Sequence, residues 1–205
     1  ATAGATTQAA EKIYRASSNA TDCTIDVALA VAPGGTFEWL PQETILFDGA
    51  RLRRRTVADV ATGGRLLACE MVVLGRIAMG ERFTSGLLLD SWRVRRGGKL
   101  AWADALRLDA AAPVAAGFGD ATAVAVALYV ADDAARHLEA ARGEIETACG
   151  LLPGLKAGVT VVNGVLLARF LGAPLPVRRG LVSWLASMRG VCLDLPPRLP
   201  RVWHV

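Results

Sequence analysis

RLLACEMVVL, which spans Arg65–Leu74, is the stretch of sequence that decides the fold. It is a nearly continuous apolar run, and such a run is typical of a β-strand that is buried on both faces. Gly63-Gly64 separates it from the segment before it. Its acidic residue, Glu70, stands in the middle of the run. The segment therefore predicts an interior strand with a carboxylate among apolar side chains.

Strand patterns continue on both sides of this segment. Cys23–Val31 alternates apolar and polar or small residues, which is the pattern of a half-buried strand, and Pro33-Gly34-Gly35 marks the turn after it. Further strands are predicted at 36–46 (in two pieces around Pro41), 50–61, 83–96, 99–109 and 121–131, with Gly97-Gly98 as a hairpin turn. Short strands at this regular spacing favour an all-β sandwich, a barrel or a helical stack of strands.

The pattern changes near the C-terminal end, where two helices are predicted at Asp132–Cys149 and 179–189. Asp132 and Asp133 are expected to cap the first helix, and Gly143 to interrupt it. Between the helices, Asn163-Gly164 joins two β-branched runs and predicts a hairpin. Since the chain has neither a repeat of fixed period nor a low-complexity linker, we expect a single domain over residues 1–205.

Composition bounds the function. Apolar residues make up 53% of the 205 residues and charged residues 20%, with a net charge of +4. Either a partner covers part of the apolar surface, or the composition reflects an abundance of alanine. The charge is too small to argue for nucleic-acid binding, and the most apolar stretch, 121–131, is too short to span a membrane. We therefore expect a cytoplasmic protein that binds neither nucleic acid nor membrane.

Catalytic motifs are missing from the sequence. The two histidines, His137 and His204, do not form a metal-binding pair in sequence, and there is neither a phosphate-binding loop nor a G-x-S-x-G elbow. The four cysteines lie far apart and are expected to be free thiols. The sequence thus predicts a protein that is not an enzyme and holds no tightly bound cofactor.

Acidic residues in apolar surroundings are the remaining chemical signal, and Glu70 is the clearest of them. A carboxylate in a buried strand must be paired, protonated or turned toward water, because burial of a bare charge costs several kcal/mol. Two interpretations stay open: an ion pair with one of the many arginines, of which Arg53 and Arg76 are candidates, or a carboxylate that lines a cavity through which a cation or water passes. Weaker candidates, for which a solvated turn or a cap is the alternative, are Glu11, Glu43, Asp48 and Glu81.

Two further groups are candidates for partner binding. As a strand, 51–55 puts Arg51, Arg53 and Arg55 on one face and Arg54 on the other, which indicates either a solvated face that protects an edge or a contact with an acidic partner. The tryptophans Trp39, Trp92 and Trp203 are either interface anchors or core residues.

Several segments together resemble the UreD (UreH) family of urease accessory proteins, in the family's order and over essentially the whole chain. They are QAAEKIYR at 8–15, EWLPQETILFDGA at 38–50, LACE at 67–70, LGR at 74–76, MGE at 79–81 and LPRVW at 199–203. Family members usually carry some tens of residues before the Thr6-Thr7-Gln8 segment, so we expect this chain to lack the first strands of the family fold.

The resemblance implies a mainly β body of helically stacked strands with two helices toward the C-terminal end. It also implies a scaffold that binds apo-urease and UreF, which recruits the GTPase UreG, and that helps nickel reach the urease active site through an internal tunnel. Nickel would be bound only transiently, with Glu70 as the first candidate on its path and Glu43, Asp48 and Glu81 as second choices. The alternative is a protein-binding β module unrelated to urease.

Overall fold

The computed structural model describes residues 1–17, 21–109 and 117–204. Twelve strands are present in this part of the chain: β1 Thr2–Ala5, β2 Glu11–Ile13, β3 Cys23–Val31, β4 Thr36–Trp39, β5 Thr44–Leu46, β6 Arg51–Val60, β7 Arg65–Leu74, β8 Leu87–Arg96, β9 Lys99–Leu108, β10 Ala123–Val130, β11 Lys156–Val162 and β12 Val165–Gly172. The helices are α1 Leu138–Leu151 and α2 Pro174–Leu193, with 3-10 turns at Ile77–Met79, Ala134–His137 and Arg201–His204.

The strands from β1 to β8 are stacked helically, because the chain passes back and forth between two sheets. It runs from β3 in one sheet to β4 and β5 in the other, returns to the first sheet in β6, and crosses again to β7. One passage through both sheets is one coil of the stack. Each strand lies parallel to the equivalent strand of the next coil, as β3 does to β6 and β4 to β7. Cys23 pairs with Leu52 and Thr36 with Arg65, so each of these coils takes 29 residues. The helical stack expected for the fold is confirmed.

Antiparallel hairpins complete both sheets. In the four-stranded sheet the order is β3-β6-β8-β9, and in the eight-stranded sheet β1-β4-β7-β10-β12-β11, with β5 between β2 and β7. Asn163 and Gly164 turn between β11 and β12 with φ of 48° and 76°. Positive φ at both central residues is what a type I′ hairpin needs, and the predicted Asn-Gly hairpin is confirmed.

The molecule has three layers, in which the eight-stranded sheet lies between the four-stranded sheet and the helices. Strand β7 is central, and its residues from Leu66 to Leu74 are buried. Leu67, Cys69 and Met71 pack toward the helices, whereas Leu66 and Ala68 pack toward the other sheet. The prediction of a strand buried on both faces is therefore confirmed.

Two apolar clusters fill the space between the sheets, one toward each end of the strands. Leu66, Ala58 and Val94 belong to the first, and Leu52 and Leu74 to the second. On β6, β7 and β8 the inward side chains between the two clusters are polar. These polar levels of β6, β7 and β8 face one another inside the sandwich, and they form the site described below.

Both helices differ from their predicted bounds. The first begins at Leu138, after a 3-10 turn, and Asp133 does not cap it. Instead, the Asp133 carboxylate accepts a hydrogen bond from the Tyr129 hydroxyl at 2.9 Å, so acidic residues that resembled a cap serve the sheet below. Gly143 does not interrupt α1. Helix α2 is longer than predicted, because Pro174 is tolerated in its first turn, where backbone N–H groups have no helical partner.

Candidate functional site

Glu70 projects from the middle of β7 into the space between the two sheets, and it is only 3% exposed. Its carboxylate accepts hydrogen bonds from the Thr56 hydroxyl and from the indole N–H of Trp92, each at 2.7 Å. The Arg54 Nη2 lies 3.4 Å from Glu70 Oε2. Three strands therefore meet at this one carboxylate: β6 brings Arg54 and Thr56, and β8 brings Trp92.

Arg54 links Glu70 to a second buried acid, Asp90 of β8. Its Nε and Nη2 atoms donate to the two Asp90 carboxylate oxygens at 3.1 and 2.5 Å, which is the bidentate geometry that Arg favours. Its Nη1 donates to the Thr44 hydroxyl at 3.0 Å. Thr44 in turn lies 3.5 Å from a carboxylate oxygen of Glu11, which is exposed at β2.

The interpretation that Glu70 pairs with one of the arginines is confirmed by Arg54, but neither of the two candidates, Arg53 and Arg76, is its partner. Arg53 points out of the sandwich and bonds Asp22, and Arg76 bonds Glu81 at the surface. The alternation of β6 turns Arg54 inward, to the face opposite Arg53. That opposite-face position was the signal in the sequence that could have identified the partner.

The charges of this cluster do not balance, because one guanidinium serves two carboxyl groups. Burial raises the pKa of Glu70 to about 7; Arg54 opposes that rise and Asp90 adds to it. Burial also disfavours the charge of Arg54, but Glu70 and Asp90 outweigh it and hold the pKa of Arg54 above its ordinary value. Arg54 is therefore a permanent cation, while Glu70 is the member whose proton can leave near neutral pH.

A cavity of about 460 Å³ adjoins the cluster, and Arg54, Glu70 and Asp90 form its polar inner end. From there it extends between β9 and β12 to an ion pair between Asp104 and Arg169, whose oxygen and nitrogen atoms are 2.8 Å apart. The side chains of this pair are 39% and 55% exposed. The cavity thus connects a buried carboxylate to a partly exposed one.

Asp104 was missed in the sequence, although a signal was present. In β9 it occupies a position between Trp102 and Leu106 on the face that points into the sandwich. An acid at an inward position of a strand is the same pattern that identified Glu70. The pattern of a single strand does not show that β9 lies across from β12. The ion pair between Asp104 and Arg169 could therefore not be predicted.

The three second-choice acids, Glu43, Asp48 and Glu81, lie outside the residues that line this cavity. Glu43 pairs with Arg178 of α2, and Glu81 with Arg76. Asp48 accepts hydrogen bonds from the backbone N–H groups of Thr84 and Ser85 at 2.8 and 2.9 Å. These bonds lower the pKa of Asp48 to about 2, and the bond from Thr84 contributes most. Each of these acids already holds a loop or a helix in place.

The candidate partner-binding residues fall into two settings. Arg51, Arg53 and Arg55 lie on the outer face of the four-stranded sheet, as the alternation of β6 predicted. Trp203 is 3% exposed and donates its indole N–H to the Leu40 carbonyl at 3.2 Å, within the core of this chain. Trp39 is half-buried and packs between the sheets.

Within 1–17, 21–109 and 117–204, no three or more His, Cys, Asp or Glu side chains are grouped so that they could hold a metal ion. In the same ranges no helix has the length and the apolar character needed to cross a membrane.

Comparison with known proteins gives a consistent answer. The family model described as UreD urease accessory protein matches residues 1–204. The chain is 44% identical to the urease accessory protein UreD of Magnetococcus marinus, over 97% of this chain and 70% of that protein. It is 46% identical to UreD 2 of Methylorubrum populi (97% and 65%) and 42% identical to UreD of Granulibacter bethesdensis (96% and 81%). The chain thus spans about two thirds of the length of the first two.

Proposed function

The chain belongs to the UreD family of urease accessory proteins, and we propose that it serves urease maturation as a scaffold without an activity of its own. In this proposal it binds apo-urease and UreF in the cytoplasm, and UreF brings the GTPase UreG. Hydrolysis of GTP is then assigned to UreG, which agrees with the lack of a phosphate-binding loop in this sequence.

The proposal includes a path for nickel through this chain, with Glu70 at its centre. The observation that carries it is the position of Glu70, a buried carboxylate at the inner end of a cavity that reaches a second acid, Asp104. Carboxylates and water bind Ni²⁺ more weakly than clustered imidazole or thiolate, and a relay must release its cargo. One buried carboxylate at the inner end of a cavity suits that requirement.

The path would have a second end on the side of the molecule opposite Asp104. From Glu70 the polar chain continues through Arg54 and Thr44 to the exposed Glu11. Polar groups therefore cross the sandwich from one side to the other, between its two apolar clusters. Glu43, Asp48 and Glu81 stay second choices, because each is already engaged by a neighbour.

Arg54 keeps the affinity of the path low. Its bidentate contact neutralises Asp90, so that Glu70 is the carboxylate left to attract a divalent cation. Arg54 also places a positive charge 3.4 Å from that carboxylate, and this charge repels a bound cation. Attraction by one group and repulsion by its neighbour favour passage over storage.

Glu70→Gln and Glu70→Ala test the path. Each is co-expressed with urease and the other accessory proteins, and the nickel content and activity of the purified urease are measured. We expect both to fall at least about tenfold, as for loss of a group that stabilises a transferring cation. Glu146→Gln, which removes an exposed acid from α1, is the matched control and should leave both at the wild-type level.

Two outcomes separate the parts of the proposal. Full activation by both Glu70 variants, with the complex intact, would reject the nickel path but not the scaffold. Failure of the wild-type chain to capture apo-urease or UreF in a pull-down would reject the scaffold and favour the unrelated binding module.

A further inference from the structure

The outer face of the four-stranded sheet, which points away from the rest of the molecule, is rich in arginine. Since alternate residues of a strand share a face, the inward positions of β6 are buried while its outward positions are mostly exposed. Outward arginines stand on three neighbouring strands: Arg51, Arg53 and Arg55 on β6, Arg93 and Arg95 on β8, and Arg107 on β9.

Aspartates neutralise some of these arginines but not all. The ion pairs on this face join Asp22 to Arg51 and Arg53, Asp59 to Arg95, and Asp109 to Arg107. Among the residues that the structure describes, neither Arg55 nor Arg93 has a carboxylate within ion-pair distance; Arg93 donates to the carbonyl of Trp92 at 2.9 Å. The two are diagonal neighbours, because Arg55 pairs in register with Ser91 and Arg93 with Val57.

We propose that this basic face binds an acidic surface of a protein partner, with Arg55 and Arg93 at the centre of the contact. A guanidinium recognises a carboxylate through two parallel hydrogen bonds, and Arg is favoured at interfaces for that reason. Outward residues of a strand repeat every ~6.6–7 Å, and so do the side chains on one face of an extended partner segment. Carboxylates at alternate positions of such a segment match the spacing of the arginines.

Nucleic acid fits the face less well. Single-stranded nucleic acids bind through aromatic side chains on which the bases stack. The tryptophans of this sheet, Trp92 and Trp102, are turned inward and buried, and no outward position of β3, β6, β8 or β9 is aromatic. A protein carboxylate surface needs no stacking partner, and it is the occupant that the observations favour.

The inference does not rest on the nickel path, because Glu70 lies inside the sandwich and these arginines lie outside it. It rests on the proposed scaffold function in one respect, which is that the partner is expected among the proteins of urease maturation. A Glu70 variant should therefore bind an acidic probe as the wild type does, and failure of the one proposal is distinguishable from failure of the other.

A fluorescent peptide with glutamate at alternate positions is the probe, titrated against the full chain by anisotropy at low salt. We expect Arg55→Gln/Arg93→Gln to weaken binding about tenfold, the effect of losing two charge-assisted contacts. The matched control, Arg136→Gln/Arg179→Gln, removes the same charge from exposed positions in the helical part of the chain and should change binding less than about twofold.

A second pair of substitutions separates the effect of charge from the effect of the guanidinium geometry. Arg55→Lys/Arg93→Lys retains the charge without the planar fork, and it should bind with intermediate strength. It also replaces the Gln variant if the latter melts at a lower temperature than wild type. The proposal is overturned if wild type does not bind the peptide, if the control variant loses as much affinity, or if single-stranded DNA of equal charge binds more tightly than the peptide.

Discussion

Arg54 is the residue on which the buried acids of this protein depend. Replacing it with methionine keeps much of the side-chain volume but leaves Asp90 and Glu70 buried with no cation. We expect Arg54→Met to lower the free energy of unfolding by about 3–5 kcal/mol, the usual cost of removing one partner of a buried ion pair. Urea unfolding followed by circular dichroism measures it.

The next residue provides the control. Arg55 lies on the opposite face of the same strand and is exposed, so Arg55→Met should change the free energy of unfolding by less than about 0.5 kcal/mol. Equal midpoints for Arg54→Met and wild type would show that the buried acids are satisfied by protonation and hydrogen bonds alone.

Between pH 4.5 and 7, the stability of the protein is expected to change with the protonation of Glu70. Because its pKa rises from 4.5 in the unfolded chain to about 7 in the folded one, the folded state holds the extra proton between these values. Stability contributed by this proton is present below pH 4.5 and is lost as the pH rises toward 7. We therefore expect urea midpoints of wild type to fall across this window relative to those of Glu70→Gln.

Glu70→Gln also changes stability by a constant amount. The two oxygens of Glu70 accept separately from Thr56 and Trp92, whereas Gln has one accepting oxygen and an amide nitrogen that can only donate. The slope against pH, not the offset, is therefore the result that matters. Parallel curves for the two proteins would mean that Glu70 is ionised throughout.

Residue-level prediction from the sequence succeeded where one strand was sufficient and failed where two strands had to be combined. Glu70 was identified because its apolar neighbours along β7 are sufficient to indicate burial. Its partner was misassigned, and Asp104 was missed, because both depend on which strands face each other across the sandwich. That arrangement is fixed by packing between the two sheets, and the residue pattern along a single strand contains no information about it.

Helices α1 and α2 provide a test at the scale of elements, through a glycine inside each. A Cβ at Gly143 of α1 would meet nothing within 4 Å, so Gly143→Ala should stabilise the protein by about 0.5–1 kcal/mol through helix propensity. At Gly180 of α2 a Cβ would come within 2.7 Å of Leu155 Cδ2 and 3.5 Å of Phe170 Cδ1. There the same change should gain less than at Gly143, or destabilise.

Thermal melting of the two alanine variants beside wild type measures the difference. A larger gain at Gly180 than at Gly143 would contradict the close approach of α2 to the sheet. Both substitutions have the same intrinsic helix preference, so the comparison isolates packing from propensity.

At the same scale, strands were predicted more closely than helices. Alternation and glycine-rich turns fixed most strands to within a few residues, because a strand with one buried face must repeat every second residue. The start of α1 was misplaced because Asp132 and Asp133 have the composition of a cap, whereas Asp133 is engaged by Tyr129. From the local sequence, an acidic side chain that caps its own helix cannot be distinguished from one that bonds a neighbouring strand.

For the whole molecule, the sequence left sandwich, barrel and helical stack open, and the resemblance favoured the stack. Local pattern does not decide between them, because all three need the same half-buried strands. The choice is made by connections that cross between the sheets, so that β3 and β6 lie parallel and 29 residues apart. This arrangement also gathers the polar middles of β6, β7 and β8 at one level, and the candidate path depends on it.

The C-terminal segment holds the layers together through two arginines of α2. Arg189 donates to both carboxylate oxygens of Glu38 on β4, at 2.6 and 3.1 Å, and to the carbonyls of Pro196 and Arg198. Arg178 binds Gln42, Glu43 and the carbonyl of Trp203. Strand β4, the loop after it, α2 and the end of the described chain are thus joined by side chains rather than by backbone ladders.

Arg189→Gln should therefore loosen the last segment before it unfolds the rest. The change leaves Glu38, whose side chain is 9% exposed, without its cation, and we expect a loss of about 2–4 kcal/mol. Because the carbonyls of Pro196 and Arg198 lose their donor as well, limited proteolysis should cleave after α2 much faster than in wild type. Arg179→Gln, at an exposed position of the same helix, should leave both the stability and the cleavage pattern unchanged. Cleavage of Arg189→Gln at the wild-type rate would mean that Leu199 and Trp203, packed in the core, hold the segment without the arginine.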